Sequence, residues 1–210
     1  MTPTIALPAA PLELPGGRAR LEPLSLDHTT DLLAAAAEDG IWLYMPAPRP
    51  RTHEDMSAMI NAALEARGTG EAYPFAVIDR STGRAVGSTR YLEIQAQNLA
   101  LEIGWTWYGA TARRTSINTE CKYLLLRHAF ERAWPQGAHR VQFKTDERNE
   151  RSRNALLRIG ARFEGILRRH RVMHDGHVRS SAYFSVIREE WPSVKTRLEA
   201  VLAASGIRPA

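Results

Sequence analysis

A basic loop that follows an apolar strand carries residues suited to binding an anion. Two arginines stand side by side in it, Arg113 and Arg114, and guanidinium groups donate charge-assisted hydrogen bonds. Hydroxyl, amide and apolar side chains follow within one helical turn: Thr115, Ser116, Ile117, Asn118 and Thr119. The loop leads into a helix, where unpaired backbone N–H groups and the positive end of the helix dipole favour a phosphate. A solvated basic turn before an ordinary core helix explains the same residues, and the loop alone does not decide between the two.

The elements on either side of this loop have clear patterns. From Leu99 to Trp107 the chain reads Leu-Ala-Leu-Glu-Ile-Gly-Trp-Thr-Trp, which predicts an apolar strand. After the loop, apolar residues recur at helical spacing: Ile117, Cys121, Leu124, Leu125 and Ala129. Because Cys121 lies on this stripe, we expect a buried core residue and not a nucleophile. The loop is therefore expected to connect a central strand to a central helix.

Length and composition indicate one globular domain. A chain of 210 residues is long enough for a single large core, and 44% apolar with 24% charged residues is ordinary for a globular protein. The net charge of +5 favours an acidic ligand. The arginines are spread along the chain without an aromatic RNA-binding motif, which argues against a nucleic-acid partner. One cysteine excludes an internal disulfide and a cysteine-rich zinc site, and the separated histidines predict no metal site.

Neither a membrane anchor nor an export signal is predicted. No apolar run approaches the roughly 20 residues that span a bilayer. Residues 1–17 combine proline and alanine without a basic segment, so we interpret them as a flexible leader, with a strand possible near Leu12 to Leu14. A single cysteine also fits a reducing compartment. We therefore expect a cytoplasmic protein.

The order of elements predicts a mixed sheet. Residues 18–24 alternate as a first strand, two helices follow, and three consecutive strands lead to the central helix. A strand, a short helix, a hairpin that turns at Asp175-Gly176 and a final helix complete the chain. Adjacent strands indicate antiparallel pairing, and the strand–helix–strand unit indicates parallel pairing. The fold class is thus α/β (α+β), in a single domain over residues 18–204 with a tail at 205–210.

Three motifs occur in a characteristic order and spacing. The strand carries Glu102-Ile103-Gly104-Trp105, and the central helix opens with Asn118-Thr119-Glu120-Cys121. The short helix begins with Asn149-Glu150-Arg151-Ser152, and Gly160-Ala161 and Glu164-Gly165 follow it. In these motifs the chain resembles the GNAT superfamily of acetyl-CoA-dependent N-acetyltransferases, and within it the branch of ribosomal-protein N-terminal acetyltransferases. The resemblance covers roughly residues 18–191 and implies a GNAT-like, mostly antiparallel central sheet flanked by helices.

The resemblance also implies a cofactor, acetyl-CoA, in a gap between the fourth and fifth strands. Pantetheine would lie along the end of the fourth strand, and the pyrophosphate would lie on the basic loop. The cofactor-binding residues implied in this way are Thr106, Trp107, Tyr108, Arg113, Arg114, Thr115, Ser116, Ile117, Asn118, Thr119, Asn149, Asn154 and Arg158. One departure lies in the loop, because Ser116 and Asn118 fill positions that are glycine or alanine in the family. Glycine suits such positions when the backbone approaches phosphate closely or adopts a positive φ.

Two residues are implied in catalysis. Glu102 is the candidate general base, because a carboxylate between Leu101 and Ile103 on an apolar strand has its pKa raised by desolvation. A strand residue on the opposite face that pairs with an arginine is the alternative. The resemblance places Ser152 near the reacting sulfur. Leu156 occupies the position where many members of the family have a tyrosine that protonates the departing thiolate.

The sequence does not identify the acceptor. Three aromatic residues are candidates for an acceptor pocket, Trp42, Tyr44 and Trp105, although packing in the core or at its rim is the commoner role for any one of them. The sequence therefore predicts an N-acetyltransferase that acts on a primary amine of a small molecule or a protein N-terminus, with a homodimer consistent with the resemblance. The substituted loop leaves one alternative, a catalytically weakened GNAT-like module that binds acyl-CoA or a partner.

Overall fold

The computed structural model describes residues 4–208, and within them eight strands form one sheet with six α-helices packed against it. The strands are β1 (Leu12–Glu13), β2 (Ala19–Pro23), β3 (Ala72–Asp79), β4 (Arg84–Gln95), β5 (Ala100–Tyr108), β6 (Arg140–Asp146), β7 (Arg162–Val172) and β8 (Val178–Ile187). The helices are α1 (Thr29–Ala35), α2 (Asp39–Trp42), α3 (His53–Gly68), α4 (Ile117–Glu131), α5 (Glu150–Arg158) and α6 (Trp191–Ala204). The strand order is β1-β2-β3-β4-β5-β6-β8-β7, and only β5 and β6 pair in parallel. This confirms the predicted mixed, mostly antiparallel sheet.

Local sequence signals account for several element boundaries. At the start of α3, Thr52 Oγ1 accepts a hydrogen bond from the Asp55 N–H at 3.1 Å, and Asp55 Oδ2 accepts one from the Thr52 N–H at 3.0 Å. This reciprocal cap satisfies N–H groups that the helix itself leaves free. The β7–β8 hairpin turns at Asp175-Gly176, where Gly176 has a φ of 82°, a conformation that favours glycine. The hairpin turn lies where the sequence predicts it.

Alternation along β3 places a hydrophobic core on each face of the sheet. All eight residues of β3 are buried, and successive side chains of a strand point to opposite faces. Phe75 and Val77 belong to the core beneath α4 and α6, whereas Ala76 and Ile78 belong to the core beneath α1, α2 and α3. Both faces of the sheet are therefore covered by helices. None of the helices in the described part of the chain is long and apolar enough to cross a membrane.

The described part of the N-terminal segment packs against the domain, in contrast to the flexible leader expected from its composition. Strand β1 pairs with β2, and Leu14 is fully buried. The Ala6 N–H donates to the Ala133 carbonyl at 2.7 Å, and the Tyr73 hydroxyl donates to the Pro8 carbonyl at 3.0 Å. Tertiary contacts thus compensate for the helix- and strand-breaking prolines of this segment. Residues 1–3 and 209–210 lie outside the described residues.

The sheet divides between β5 and β6. These strands share three residue pairs, from Ala100 with Arg140 to Glu102 with Gln142, and beyond them β6 pairs only with β8. In β5 the register to β4 slips after Gly104, and Trp105 has a φ of 50°. Such a β-bulge bends a strand and increases its local twist. We attribute the divergence of β5 from β6 to this bulge.

Candidate active site

A cavity of about 1400 Å³ opens where β5 and β6 separate. Its walls come from β4, β5 and β6, from the first turn of α4, from α5 and from the segment around α2. Pockets for drug-sized ligands typically occupy about 300–1,000 Å³, so this cavity has room for a longer ligand or for two ligands together. Most residues that the sequence indicates line this cavity, and the exceptions are Trp42, Ser116, Ile117 and Asn154.

Glu102 lies on the cavity wall and is 1% exposed. Its Oε2 is 3.2 Å from Lys144 Nζ and accepts a hydrogen bond of 3.1 Å from Gln142 Nε2. Burial raises the pKa of Glu102, and the positive charge of Lys144 works in the opposite direction. A buried carboxylate with a raised pKa that faces a cavity is suited to act as a general base. The ionic partner is a lysine of β6 and not an arginine.

Gly104 leaves the space that the Glu102 side chain occupies. A Cβ atom on residue 104 would lie 2.7 Å from Glu102 Oε1 and 2.9 Å from Leu92 Cδ1. Both distances are well inside the roughly 3.5–4.0 Å at which nonbonded heavy atoms attract one another. The Glu-Ile-Gly spacing therefore has a steric cause, because the carboxylate folds back along β5 over a residue without a side chain.

The basic loop forms the cavity wall next to α4. Five of its predicted residues line the cavity, namely Arg113, Arg114, Thr115, Asn118 and Thr119. The Arg113 guanidinium donates a hydrogen bond to the carboxylate of Glu38, which lies between α1 and α2. Ser116 and Ile117 are not among the lining residues, and Ile117 is fully buried in the core. An anion that binds at Arg113 would thus have to compete with Glu38.

The replacement of the family's small residues by Ser116 and Asn118 causes no backbone strain in this loop. Ser116 has a φ of −65° and a ψ of −20°, and Asn118 lies in the first turn of α4, so both have right-handed helical backbones. The left-handed residue of the loop is instead Arg114, with a φ of 61°. Glycine is favoured only where φ is positive or a Cβ would collide. The substituted loop therefore keeps a regular strand-to-helix connection.

Helix α5 presents part of its first turn to the cavity. Asn149 caps the helix, since its Oδ1 accepts a hydrogen bond of 3.0 Å from the Ser152 N–H, and both residues line the cavity. Leu156 and Arg158 also line it. Asn154, expected to bind the nucleotide end of the cofactor, is exposed and does not line the cavity, because it points away from it on the helix.

The end of β5 is packed from both faces. Thr106, Trp107 and Tyr108 all line the cavity. The half-buried Tyr108 side chain lies beside Cys121, and burial raises the pKa of the Cys121 thiol to about 12. Cys121 is therefore an inert core residue, as its place on the apolar stripe predicts.

The three aromatic candidates for an acceptor pocket separate into two groups. Tyr44 and Trp105 line the cavity. Trp42 is not among the lining residues: its ring packs 5.3 Å from that of Trp107, and its Nε1 donates to the Ala36 carbonyl at 3.0 Å. The expectation that Trp42 contacts the acceptor is thus corrected, because both its ring and its polar atom are used within the core.

Four buried or half-buried cations of the cavity wall were not singled out by the sequence patterns: Arg90, Lys122, Lys144 and Arg179. Lys122 donates to Thr106 Oγ1 at 3.0 Å, and burial lowers the pKa of its ammonium to about 8. Lys122 lies off the apolar stripe of α4. The apolar run that follows it in α4, a pattern typical of a helix buried on all sides, is the signal that could have indicated burial.

Comparison with known proteins decides the family. The model of the Acetyltransferase (GNAT) domain matches residues 18–162. This chain belongs to the GNAT acetyltransferase family. A GCN5-related N-acetyltransferase from Brucella melitensis is 30% identical over 98% of this chain and 90% of that chain, with a TM-score of 0.87. A candidate acetyltransferase from T. thermophilus is 37% identical over 93% of this chain and 100% of that chain, with a TM-score of 0.81.

A third structure shares the fold of this GNAT acetyltransferase at lower identity. RimJ of Mycobacterium smegmatis, solved in complex with CoA-disulfide, is 22% identical over 96% of each chain, with a TM-score of 0.75. No curated protein matches the sequence. The resemblance inferred from the motifs is confirmed, and the protein is an N-acetyltransferase of the GNAT family.

GNAT acetyltransferases use acetyl-CoA, and the cavity of this one fits a long ligand that carries phosphate. The cavity runs from the divergent strands to the first turn of α4, where free N–H groups favour an anion. Four arginines of the lining lie on the basic loop and α5: Arg113, Arg114, Arg151 and Arg158. Within residues 4–208, no three His, Cys, Asp or Glu side chains come together as metal ligands.

Proposed function

We propose that this GNAT acetyltransferase transfers an acetyl group from acetyl-CoA to a primary amine, of a small molecule or a protein N-terminus, by direct attack of the amine on the thioester. The observation that carries the proposal is the position of Glu102. Its buried carboxylate faces the cavity at the point where β5 and β6 separate. A base at that point is next to the gap in which a cofactor can lie between two strands.

The residues that would hold acetyl-CoA form two groups. Beyond Glu102, β5 has no partner strand on its β6 side within the described residues, so its backbone groups are free to bond an extended chain such as pantetheine. Arg113, Arg114 and the first turn of α4 supply the charge and the N–H groups that a pyrophosphate requires. When bound, acetyl-CoA supplies an acetyl thioester as the acyl donor. The RimJ structure with CoA-disulfide supports a coenzyme A ligand for this fold.

Glu102 would prepare the acceptor for attack. An amine is largely protonated near neutral pH, and only its neutral form has a free electron pair. The raised pKa of Glu102 brings the carboxylate closer to the range in which it can take a proton from an ammonium group, directly or through a water molecule. Gln142 and Lys144 hold the carboxylate in place through contacts of 3.1 Å and 3.2 Å.

The reaction exchanges one bond of the acetyl carbon for another and moves two protons away from the amine nitrogen. A bond forms between the amine nitrogen and the acetyl carbon, and the bond between that carbon and sulfur breaks. One proton of the ammonium group passes to Glu102 and then to solvent, and a second proton from nitrogen passes to the departing sulfur. Leu156 cannot donate a proton, and the Ser152 hydroxyl on the same wall of the cavity is the group of α5 best placed to relay one.

Calorimetric titration with acetyl-CoA tests the first half of this proposal. The wild type is expected to bind, and the double variant Arg113→Ala with Arg114→Ala is expected to lose most of the affinity. Arg84→Ala is a matched control, because Arg84 is an exposed arginine of β4 that pairs with Asp31 outside the cavity. Absence of heat with the wild type would overturn the proposal and favour a module that has lost its cofactor.

Turnover tests the second half. Release of the coenzyme A thiol in the presence of a panel of amines is expected with the wild type. In Glu102→Gln, which keeps the size and the hydrogen bond to Gln142, kcat should fall by about 10²–10⁴-fold, the range typical of a lost general base. An unchanged kcat in this variant would remove Glu102 from the mechanism.

A further inference from the structure

Two buried arginines of the cavity wall have no ionic partner. Arg90 is 8% exposed and Arg179 is 6% exposed, and the Nε atom of each is buried without a hydrogen-bond partner. Neither side chain makes a salt bridge or a side-chain hydrogen bond within residues 4–208. Burying an unpaired charge is costly, so such groups normally have a partner. The missing partner of at least one of these arginines is therefore expected to come from a ligand.

Arg90 is the more isolated of the two. Its guanidinium lies 4.3 Å from the centre of the Trp105 ring, which fixes its plane without neutralising its charge. Burial lowers the pKa of Arg90 to about 10, and no carboxylate counteracts this shift. Arg179, by contrast, is near enough to Asp146 for the negative charge to act on it. Arg90 is thus the cation whose burial remains uncompensated.

The charges around the cavity do not supply the missing partner. Nine arginines and lysines line the cavity against four glutamates. Of these glutamates, Glu93 and Glu102 both contact Lys144, and Glu38 is paired with Arg113. The remaining one, Glu71, is exposed to solvent. A purely cationic amine would enter an excess of positive charge, whereas an amine that also carries a negative group would be attracted.

Register places Arg90 at a suitable position relative to the base. Arg90 pairs with Gly104, and Leu92, two residues further along β4, pairs with Glu102. Arg90 and Glu102 are therefore diagonal neighbours on the same face of adjacent strands, a relationship that separates residues by about 7–8 Å. A short molecule can reach both side chains at once, with its amine at Glu102 and its acidic group at Arg90.

We propose that the acceptor is an amine that carries a carboxylate, and that Arg90, stacked on Trp105, binds this carboxylate while the amine faces Glu102. A guanidinium group forms a planar pair of hydrogen bonds with a carboxylate, so it orients the acceptor as well as attracting it. This inference rests on the proposed function and narrows its acceptor. Two sources share the chemistry: a free amino acid with its α-carboxylate, and a peptide whose first residue is Asp or Glu.

Matched pairs of acceptors test the inference at saturating acetyl-CoA. One set compares amino acids with their carboxamides, and the other compares short peptide amides that begin with Asp or Glu with those that begin with Asn or Gln. In the wild type, kcat/KM for the acid member of one set is expected to exceed that of its neutral partner by at least about tenfold. The set that shows the preference identifies the source.

Variants of Arg90 then test whether this residue causes the preference for the acid member. Arg90→Met, which keeps the length of the side chain without its charge, should raise KM for the acid member much more than for the neutral member, so the ratio falls to about one. Arg90→Lys should restore part of the preference. Arg84→Met, an exposed arginine of the same strand, is the control and should leave the ratio as in the wild type. Thermal unfolding of Arg90→Met checks the fold, and this variant should be at least as stable as the wild type.

Three results would overturn the inference. Equal kcat/KM values for acid and neutral members in the wild type would exclude an anion-binding acceptor pocket. An equal loss for both members in Arg90→Met would assign Arg90 a structural role. Binding of acetyl-CoA in calorimetry without turnover or binding of any acidic amine would remove this inference and leave the cofactor proposal in place. Failure to bind acetyl-CoA would instead remove the proposed function itself.

Discussion

Lys144 of β6 contacts two carboxylates at once: its Nζ lies 3.2 Å from Glu102 of β5 and 2.7 Å from Glu93 of β4. The negative charges of both glutamates outweigh the effect of burial and raise the pKa of Lys144, so the lysine remains charged. A single cation thus bridges three strands at the point where two of them diverge. Its charge also decides how strongly the candidate base holds a proton.

Removal of this charge should move the acid limb of the pH profile upward. A general base works when it is ionised, so kcat/KM falls as the pH drops through the pKa of Glu102. Burial raises that pKa and Lys144 lowers it, so Lys144→Met is expected to raise it further. The half-maximal point of the acid limb, measured with one amine from pH 5 to 9, should therefore lie at higher pH in the variant.

Lys195→Met provides the comparison for this measurement, because Lys195 pairs with Glu131 and neither residue lines the cavity. Its pH profile should overlay that of the wild type. An acid limb that stays in place in Lys144→Met, or moves to lower pH, would mean that another group controls it.

Glu38→Gln should tighten the binding of acetyl-CoA. In the structure the Glu38 carboxylate forms an ion pair with the Arg113 guanidinium, and a pyrophosphate that binds Arg113 would have to displace this carboxylate. A partly exposed ion pair is worth about 1 kcal/mol at most, so its removal should lower Kd by up to about fivefold in calorimetry. Glu71→Gln, another glutamate of the cavity wall, serves as the control. Weaker binding in Glu38→Gln would show that the glutamate organises the loop and does not compete with the ligand.

Trp42→Phe should reduce stability and leave acceptor binding unchanged. The variant loses the hydrogen bond from Trp42 Nε1 to the Ala36 carbonyl and part of the ring contact with Trp107. The expected decrease in the free energy of unfolding is about 1–3 kcal/mol, measured with urea. Tyr44→Leu should show the opposite pattern, a higher KM for the amine at similar stability, because Tyr44 lines the cavity. A raised KM in Trp42→Phe would return this residue to the acceptor pocket.

His128 should make the protein less stable in mild acid. The ring is buried against Tyr91, with Nδ1 3.2 Å from the Tyr91 hydroxyl, and burial lowers the pKa of His128 to about 4. An unfolded histidine has a pKa near 6.5, so below that pH the unfolded chain binds the extra proton. The free energy of unfolding therefore falls as the pH drops from about 6.5 to 4, by about 2 kcal/mol between pH 7 and pH 5.

The test of this pH dependence is a pair of urea titrations at pH 7 and pH 5. His128→Phe keeps a ring against Tyr91 and should remove most of the difference between the two pH values. His53→Gln, a change at an exposed histidine, should keep it. An equal difference in the wild type and in His128→Phe would assign the acid sensitivity to other groups.

Sequence patterns identified the elements well because their signals are local. The Asp175-Gly176 turn depends on a few neighbouring residues, and it is found in the structure. Glu102 could be singled out because it is a carboxylate within an apolar strand. The motif that contains it also indicated the family, which the domain match confirmed.

The features that the patterns missed depend on residues far apart in the chain. Arg113 pairs with Glu38 across 75 positions, and nothing in either segment indicates the other. Arg90 lies in the strand between β3 and β5, and its contact with the Trp105 ring joins two strands that no local pattern links. Trp42 is of a residue type that often lines ligand pockets. Only its ring contact with Trp107 shows that it belongs to the core.

The small number of residue pairs between β5 and β6 affects how firmly the two parts of the sheet are joined. The parallel seam of three residue pairs is the only direct strand pairing between the β1–β5 part of the sheet and the β6–β8–β7 part within residues 4–208. A ligand that forms hydrogen bonds with both β5 and β6 across the gap would connect the two parts of the sheet at a second place. Part of its binding free energy would then resist the separation of the two parts, so the ligand would stiffen the whole sheet and not only the walls that it touches.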